Sequence, residues 1–431
     1  MKNISNNDNF DLKYYKRYLD KSRTISLKYL QKLSIFPNEP KELEYFKNII
    51  KKVFIDNEII KYDDNEKFIG SFCEMVPSEI IYAAGARPIK LCGNNYVSYL
   101  IGDYSTPRDV CPLSKAIVGN VVNKVSKIHD ACDMYVVPIT CDCKKNIVSQ
   151  ISEYKDTIPL YVPFNCTDDN GMETYVKEIK NLVKNISNIT KKEVTRESLG
   201  KQIKIHSDVQ KEIERFIKLR GNSEILIRGI HSIIVMNSLA YDDISNWGKH
   251  LKKLNDELSI KKNNKDYLTN KRLPRILVTG TPFAFPNIKI PMIIEEQGGL
   301  IVCNETCFED ANKTNYVAIC DDTIDGYYKA LANAYIKPCC CPIFSNNDKR
   351  IRKLEKLVND YQIDGIIYNT TKGCVIFDYE YEKINNYFNE IGIPSIRIES
   401  DYSEEDVEQL RIRIEAFVEM LKYKKRKVKE K

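Results

Sequence analysis

Histidine and tryptophan are scarce in this chain of 431 residues, with 4 copies and 1 copy. A metal site built mainly from imidazole is therefore hard to assemble. No apolar run reaches the length of about 18 residues that a membrane-spanning helix needs. The first ten residues are polar and lack the apolar core of a signal peptide. We therefore expect a cytoplasmic protein with no membrane partner.

Excess positive charge is also missing from most of the chain. The 66 basic and 60 acidic residues give a formal charge of +6. Residues 422–431 hold seven of the basic and one of the acidic residues, which leaves 59 of each sign elsewhere. Nucleic-acid binding needs basic residues organised on a folded face. We therefore expect a solvated basic tail over 422–431 and no nucleic-acid partner.

Cysteine is abundant by contrast, with 14 copies. Secreted disulfide scaffolds are much shorter than this chain, so we expect reduced thiols that bind a metal, react or pack in the core. The spacing matches neither the paired CxxC units of a zinc ribbon nor the compact cysteine run of a bacterial ferredoxin. A metal site in this protein would have to be assembled from distant segments.

Hydrophobic patterning divides the chain into helical and mixed segments. Residues 1–66 show apolar positions at helical spacing and predict a helical N-terminal extension. Residues 67–170 and 271–421 alternate apolar strands with helices, which is typical of parallel sheets covered by helices. Residues 171–270 contain no proline and predict a helical connector. The predicted class is α/β, with two parallel-sheet domains, a connector and the tail at 422–431.

The individual elements follow from short apolar runs and amphipathic stretches. Predicted strands are 88–92, 134–139, 160–163, 275–280, 299–302, 364–368 and 395–398. Predicted helices include 79–84, 111–127, 144–154, 351–361, 379–391 and 404–421.

Several cysteines stand just beyond predicted strands, where open α/β sheets bind their ligands. These are Cys141, Cys303, Cys307 and Cys374. Cys111 precedes Pro112, a favoured first residue of a helix, and a thiol at a helix N-terminus has a lowered pKa. Three thiolates from three strand–helix junctions would hold a [4Fe–4S] cube and leave one iron open, whereas inert buried thiols are the alternative.

The remaining thiols receive different interpretations. The run Cys339-Cys340-Cys341 is unusual for packing, and at most two of its side chains are expected to serve one site, because successive side chains point in different directions. We interpret the others as mainly structural: Cys73, Cys92, Cys132, Cys166 and Cys320.

Other candidate groups carry less chemistry. The chain lacks GxxxxGK[ST] and GxGxxG, so we expect it neither to hydrolyse ATP itself nor to bind a dinucleotide through those loops. His129 is interpreted as structural, with a proton-donor role as the alternative. Asp142 is expected to cap a turn or to orient the site. Lys144 and Lys145 are expected at a solvated helix start, with phosphate binding as the alternative.

Six segments in order resemble the 2-hydroxyacyl-CoA dehydratase family, which includes benzoyl-CoA reductase subunits and double-cubane-cluster proteins. They are FCEMVPSEIIYAAGA (72–86), DVCPL (109–113), TCD (140–142), ILVTG (276–280), DGIIY (364–368) and GIP (392–394). Together they cover roughly residues 68–421. The resemblance implies two Rossmann-like (flavodoxin-like) domains with an iron–sulfur cluster in the cleft between them. It carries the cluster ligands onto Cys111, Cys141 and Cys374, and it implies a separate ATP-hydrolysing iron–sulfur activator that supplies low-potential electrons.

Within that family the chain looks most like the double-cubane branch. The similar features are Glu305-Thr306-Cys307, the cysteine run before Ser345, and Tyr402 followed by Asp406 and Gln409. In that branch six cysteines hold an [8Fe–9S] cluster. The resemblance then implies Cys307, Cys339 and Cys341 as the second set of ligands, with Cys340 as an alternative.

The chain also departs from the family pattern. Cys143 stands where the family usually has glycine, and Cys303 is an additional thiol near Cys307. The segment around Cys374 lacks the Phe-Cys-Asp-Pro that is common in dehydratase subunits. The roles of Cys143 and Cys303 stay open.

Three functions follow as hypotheses. The first is a homodimeric reductase component that reduces a small molecule at an [8Fe–9S] cluster. The second is a 2-hydroxyacyl-CoA dehydratase subunit with one [4Fe–4S] cluster, which acts on an acyl-CoA in a heterodimer. The third is a non-catalytic cluster carrier or a zinc–thiolate protein. The two sets of thiols favour the first.

Overall fold

The computed structural model describes residues 12–93, 95–165, 168–221, 224–268, 273–307, 315–345 and 347–427. Cys166 and the tail residues 428–431, both subjects of expectations above, lie outside these ranges. Two helices precede the first strand: α1 (Leu12–Leu33) and α2 (Leu43–Phe54). The apolar side of α2 is buried, and Phe46 contacts Trp247 edge to face. None of the described helices combines the length and apolar character that a membrane crossing requires.

The first α/β region contains four strands. Its elements are β1 (Lys67–Ser71), α3 (Ser78–Ala83), β2 (Ala86–Lys90), α4 (Tyr96–Asp103), α5 (Pro112–Val122), α6 (Lys127–Ala131), β3 (Met134–Ile139), α7 (Asp142–Ile151) and β4 (Thr157–Tyr161). The helices that follow it are α8 (Asp169–Thr190), α9 (Arg196–Arg220), α10 (Gly229–Ser238) and α11 (Ile244–Asn263).

The second α/β region has the same number of strands. Its elements are β5 (Arg275–Gly280), α12 (Lys289–Glu296), β6 (Leu300–Glu305), α13 (Ile324–Ile336), α14 (Asp348–Asp360), β7 (Gly365–Thr371), α15 (Val375–Glu390), β8 (Ser395–Ser400) and α16 (Val407–Lys427).

Both sheets are parallel and share one topology. Their strand orders are β2-β1-β3-β4 and β6-β5-β7-β8. Every residue of β5 and β6 is buried, as expected for parallel strands covered by helices on both faces. In each sheet the strand order changes direction between two neighbouring strands, β1 and β3 in one sheet and β5 and β7 in the other. Folds of this kind bind their ligands at such a switch point. The predicted α/β class with two Rossmann-like sheets is confirmed.

Individual predictions differ in their accuracy. The strands predicted at 134–139 and 275–280 are confirmed at both ends, whereas β1 was not predicted because only Phe68 and Ile69 mark it as apolar. Helix α16 continues beyond 421 into the segment expected to be a solvated tail. There Lys425 forms an ion pair with Asp364 at 2.6 Å, so the start of the basic segment is part of the fold.

Helices α4 and α5 cross at two glycines, and this crossing positions the N-terminus of α5. A Cβ on Gly102 would lie 1.8 Å from the Lys115 carbonyl oxygen. We therefore expect Gly102→Ala to lower the free energy of unfolding by about 1–3 kcal/mol, measured by chemical denaturation, because the helices must separate. Gly200→Ala is the control, since its Cβ meets only the Tyr327 ring at 3.2 Å. Equal stability of the two variants would contradict the crossing argument.

Candidate functional site

A cavity of about 740 Å³ lies beyond the carboxyl ends of both sheets. Segments that follow β1, β3, β5 and β7 line it, and these are the strands at the two switch points. Eight cysteines contribute to its wall: Cys73, Cys92, Cys111, Cys141, Cys143, Cys307, Cys341 and Cys374. The shared topology of the two sheets therefore brings thiols from distant segments to one space.

The first thiol group consists of Cys111, Cys141 and Cys374, the three positions that the family resemblance implies as ligands. Each is the residue immediately before a helix: α5, α7 and α15 respectively. Gly373 adopts a left-handed conformation with φ of 74°, and a Cβ there would lie 3.1 Å from the Asp109 carbonyl oxygen. The loop before Cys374 thus runs directly against the loop before Cys111.

Three helix N-termini meet at this group, and their electrostatics favour anions. The backbone amides of Ser114, Lys144 and Phe377 are hydrogen-bonded to the thiols of Cys111, Cys141 and Cys374 respectively. In each pair the amide belongs to the residue three positions after the thiol. Each of these contacts favours the thiolate form, although the Cys143 thiol at Cys141 and burial at Cys374 raise the pKa overall.

Cys143 lies between two members of the first group. Its thiol is hydrogen-bonded with those of Cys111 and Cys141. This contact is the main cause of a lowered pKa at Cys111 and a raised pKa at Cys141. Burial is the main cause that raises the pKa of Cys374 to about 11. The pKa of Cys111 is lowered as expected, but the hydrogen bond with Cys143 is the main cause and the helix N-terminus contributes less.

The second thiol group at the cavity consists of Cys73, Cys307 and Cys341. Burial is the first cause of the strongly raised pKa values of Cys307 and Cys341, and the charge of Cys73 raises both further. Cys307 follows β6, and Cys73 follows β1. Sequence reasoning interpreted Cys73 as mainly structural, because β1 was not recognised and its junction was therefore not seen.

The other two members of the cysteine run do not line the large cavity, although Cys339 lies close enough to Cys73, Cys307 and Cys341 to interact with them electrostatically. Cys339 is buried in the hydrophobic cluster that contains Ile336 and Phe344, and it is not among the described residues that line the large cavity. The Cys340 thiol contacts the Pro338 carbonyl oxygen at 3.4 Å. Only Cys341 of the three faces the large cavity, and Cys340 and Cys341 both border a small adjacent cavity of about 20 Å³.

Lys144 is buried in the cavity wall, so the expectation of a solvated position is wrong for this residue. Its Nζ donates a hydrogen bond to the Phe72 carbonyl oxygen at 3.0 Å. The pKa of Lys144 is raised, because attraction from the Cys73 thiol and its neighbours outweighs the opposing effect of burial. Lys145 is exposed as predicted.

Other candidates lie away from the thiol groups. His129 borders a separate cavity of about 350 Å³, and burial lowers its pKa to about 3, so its ring is neutral at physiological pH. Cys303 is buried in a hydrophobic cluster at the second sheet, and Cys132 is buried in a cluster at the first sheet. Cys320 is exposed. Asp142 is exposed in the first turn of α7.

The donor set fits an iron–sulfur cluster better than a single metal ion. Among the described residues, no three His, Cys, Asp or Glu side chains converge tightly enough to bind one ion. A single Zn²⁺ needs such convergence, whereas the thiolates of a multi-iron cluster each reach a different iron. The described part of the cavity wall supplies thiols without any histidine, together with helix N-termini and a buried ammonium.

Comparisons with known proteins find relatives over most of the chain. Residues 73–421 match the family model described as 2-hydroxyglutaryl-CoA dehydratase, D-component. A putative dehydratase subunit, YjiM, of Escherichia coli K12 is 28% identical over 82% of this chain and 91% of its own length. The beta subunit of (R)-phenyllactyl-CoA dehydratase of Clostridium sporogenes is 25% identical over 89% and 100%. A benzoyl-CoA reductase subunit of Thauera aromatica is 20% identical over 84% and 92%.

Proposed function

Because the chain belongs to the family of the 2-hydroxyglutaryl-CoA dehydratase D-component, we propose that it is an iron–sulfur reductase component. It reduces a small molecule at an [8Fe–9S] double-cubane cluster. The observation that supports this proposal is the presence of two thiol groups on the wall of one cavity. A single [4Fe–4S] cube would use only one of them.

The proposed ligands divide between the two groups. Cys111, Cys141 and Cys374 hold the first cube. Cys307 and Cys341 hold the second, together with Cys339 as the family resemblance implies or with Cys73 as its place on the cavity wall favours. When bound, such a cluster supplies single electrons at low potential to a molecule in the cavity.

The chain's own residues prepare the cavity for that molecule. Apolar side chains, among them Leu113, Ile139 and Phe377, line it and limit the access of water. The Tyr402 ring also lines it, and burial raises the pKa of its hydroxyl well above the ordinary value. The Tyr402 hydroxyl therefore keeps its proton at neutral pH.

The electrons are proposed to come from a separate ATP-hydrolysing iron–sulfur activator, because this sequence contains no phosphate-binding loop of its own. ATP hydrolysis drives a transfer that the ambient donor cannot make alone. We place the protein in the cytoplasm as a homodimer, where a reducing environment keeps its thiols available for iron.

Iron and sulfide analysis of the protein purified without oxygen tests this proposal. We expect about eight irons per chain, equal to two [4Fe–4S] cubes, and broad visible absorption that bleaches on reduction. Electron paramagnetic resonance should show a reduced iron–sulfur signal that appears with activator and ATP. About four irons per chain would contradict the double cubane, and a colourless, redox-silent protein would favour structural zinc.

A second candidate is a dehydratase subunit with one [4Fe–4S] cluster at Cys111, Cys141 and Cys374. The match over the full length of a dehydratase beta subunit supports it. This function predicts co-purification with a second, similar subunit and loss of water from a 2-hydroxyacyl-CoA. A homodimer with about eight irons per chain and no such activity would exclude it.

A further inference from the structure

Lys144 places a buried ammonium in the cavity wall. It is the third residue of α7, only 9% of it is exposed, and its Nζ donates to the Phe72 carbonyl oxygen. Over the part of the chain that the structure describes, no Asp or Glu oxygen lies within 4.0 Å of its Nζ. An ammonium has three donors, so two remain for a group inside the cavity.

Its position relates Lys144 to both thiol groups at once. Its backbone amide is hydrogen-bonded to the Cys141 thiol, and its Nζ donates to the carbonyl oxygen of Phe72, the residue before Cys73. It lines the cavity with Cys141 of the first group, Cys73 and Cys307 of the second, and Cys92. The first three of these thiols belong to segments that follow β3, β1 and β6 respectively. Lys144 therefore lies between the two groups.

A buried charge is costly unless a charge of opposite sign compensates it. Neutral thiols do not supply that charge, whereas thiolates bound to an anionic iron–sulfur cluster do. The buried position of Lys144 is thus explained when the cavity holds a negatively charged group.

We propose that Lys144 is the internal counter-cation of the iron–sulfur site and that its charge raises the reduction potential of the bound cluster. This inference rests on the proposed function. Each added electron makes the cluster more negative, so a fixed positive charge nearby stabilises the reduced form more than the oxidised form. Lys144 acts here through its charge and position, as a positioning residue.

The test compares four proteins purified without oxygen: wild type, Lys144→Met, Lys144→Arg and Lys145→Met. Iron per chain and a potentiometric titration followed by electron paramagnetic resonance are measured for each. We expect Lys144→Met to shift the one-electron equilibrium at least tenfold toward the oxidised form, which corresponds to a decrease of about 59 mV in midpoint potential. Lys144→Arg keeps the charge and should stay near wild type. Lys145→Met removes an exposed lysine at the cavity rim, where solvent screens its charge, and should shift the potential much less than Lys144→Met.

The iron-free proteins give a second measurement, which does not depend on the cluster. If the Lys144 ammonium balances the charge of the cluster, the melting temperature of iron-free Lys144→Met should be no lower than that of iron-free wild type. The substitution then removes a buried charge that nothing compensates in the iron-free protein. If Lys144 instead serves the structure of the iron-free protein, iron-free Lys144→Met should melt at a lower temperature than iron-free wild type. Loss of iron in Lys144→Met together with its retention in Lys144→Arg would also support the counter-cation.

Three results would overturn the proposal. They are full iron content with an unchanged potential in Lys144→Met, equal defects in Lys144→Met and Lys144→Arg, and strong destabilisation of iron-free Lys144→Met. A wild-type protein that binds no iron under anaerobic conditions would instead reject the proposed function, and this inference with it.

Discussion

Cys307→Ala, purified without oxygen, is expected to retain about four irons per chain where the wild type holds about eight. Cys307 lines the cavity and is a proposed ligand of the second cube whether the third ligand is Cys73 or Cys339. Removal of its thiolate leaves the second cube with two protein ligands, whereas Cys111, Cys141 and Cys374 still hold the first. Iron and acid-labile sulfide analysis measures the loss.

Cys303→Ala is the matched control for this prediction. Cys303 lies close to Cys307 in sequence, but its thiol is buried in the core beside the second sheet. The control should therefore keep the iron content of the wild type. Full iron in Cys307→Ala would show that the second group does not bind a cluster, and the single-cluster dehydratase function would then be favoured.

Cys73→Ala is expected to lose about half of the iron, whereas Cys339→Ala is expected to keep nearly all of it. Cys73 faces the cavity next to Cys307 and Cys341. The Cys339 side chain is 1% exposed and packs among apolar residues. A thiol needs access to the cavity in order to reach an iron there.

Thermal melting of the iron-free forms separates ligand loss from unfolding. Cys339→Ala removes a buried side chain and should lower stability slightly, with the iron count preserved. Loss of iron in Cys339→Ala together with its retention in Cys73→Ala would restore the set that the family resemblance implies. That outcome would require the Cys339 side chain to turn out of the core when iron binds.

The sequence allowed much of the fold and the positions of several cavity thiols to be predicted. Buried parallel strands such as β3 and β5 are continuous apolar runs, so their bounds could be identified directly. Cys141 follows β3 and Cys374 follows β7, so their places at sheet edges could be predicted. Cys111 lies between α4 and α5, and its grouping with the other two came from the family resemblance.

Other features depend on contacts between distant segments. The Lys144-Lys145 pair looks like an ordinary polar helix start, and only the packing around the cavity buries Lys144 and exposes Lys145. The three adjacent cysteines 339–341 differ in direction for the same reason. Periodicity describes which side of a helix is apolar, but it does not describe what a loop beyond a strand meets.

Neither sheet region contains all three thiols of either group by itself. The first group combines Cys111 and Cys141 with Cys374, and the second combines Cys73 with Cys307 and Cys341, so each group draws on both regions. A bound cluster would consequently link the two regions at two places, next to the contact between Gly373 and Asp109. Such a cluster could assemble only after both regions are folded and packed together through the hydrophobic clusters that they share.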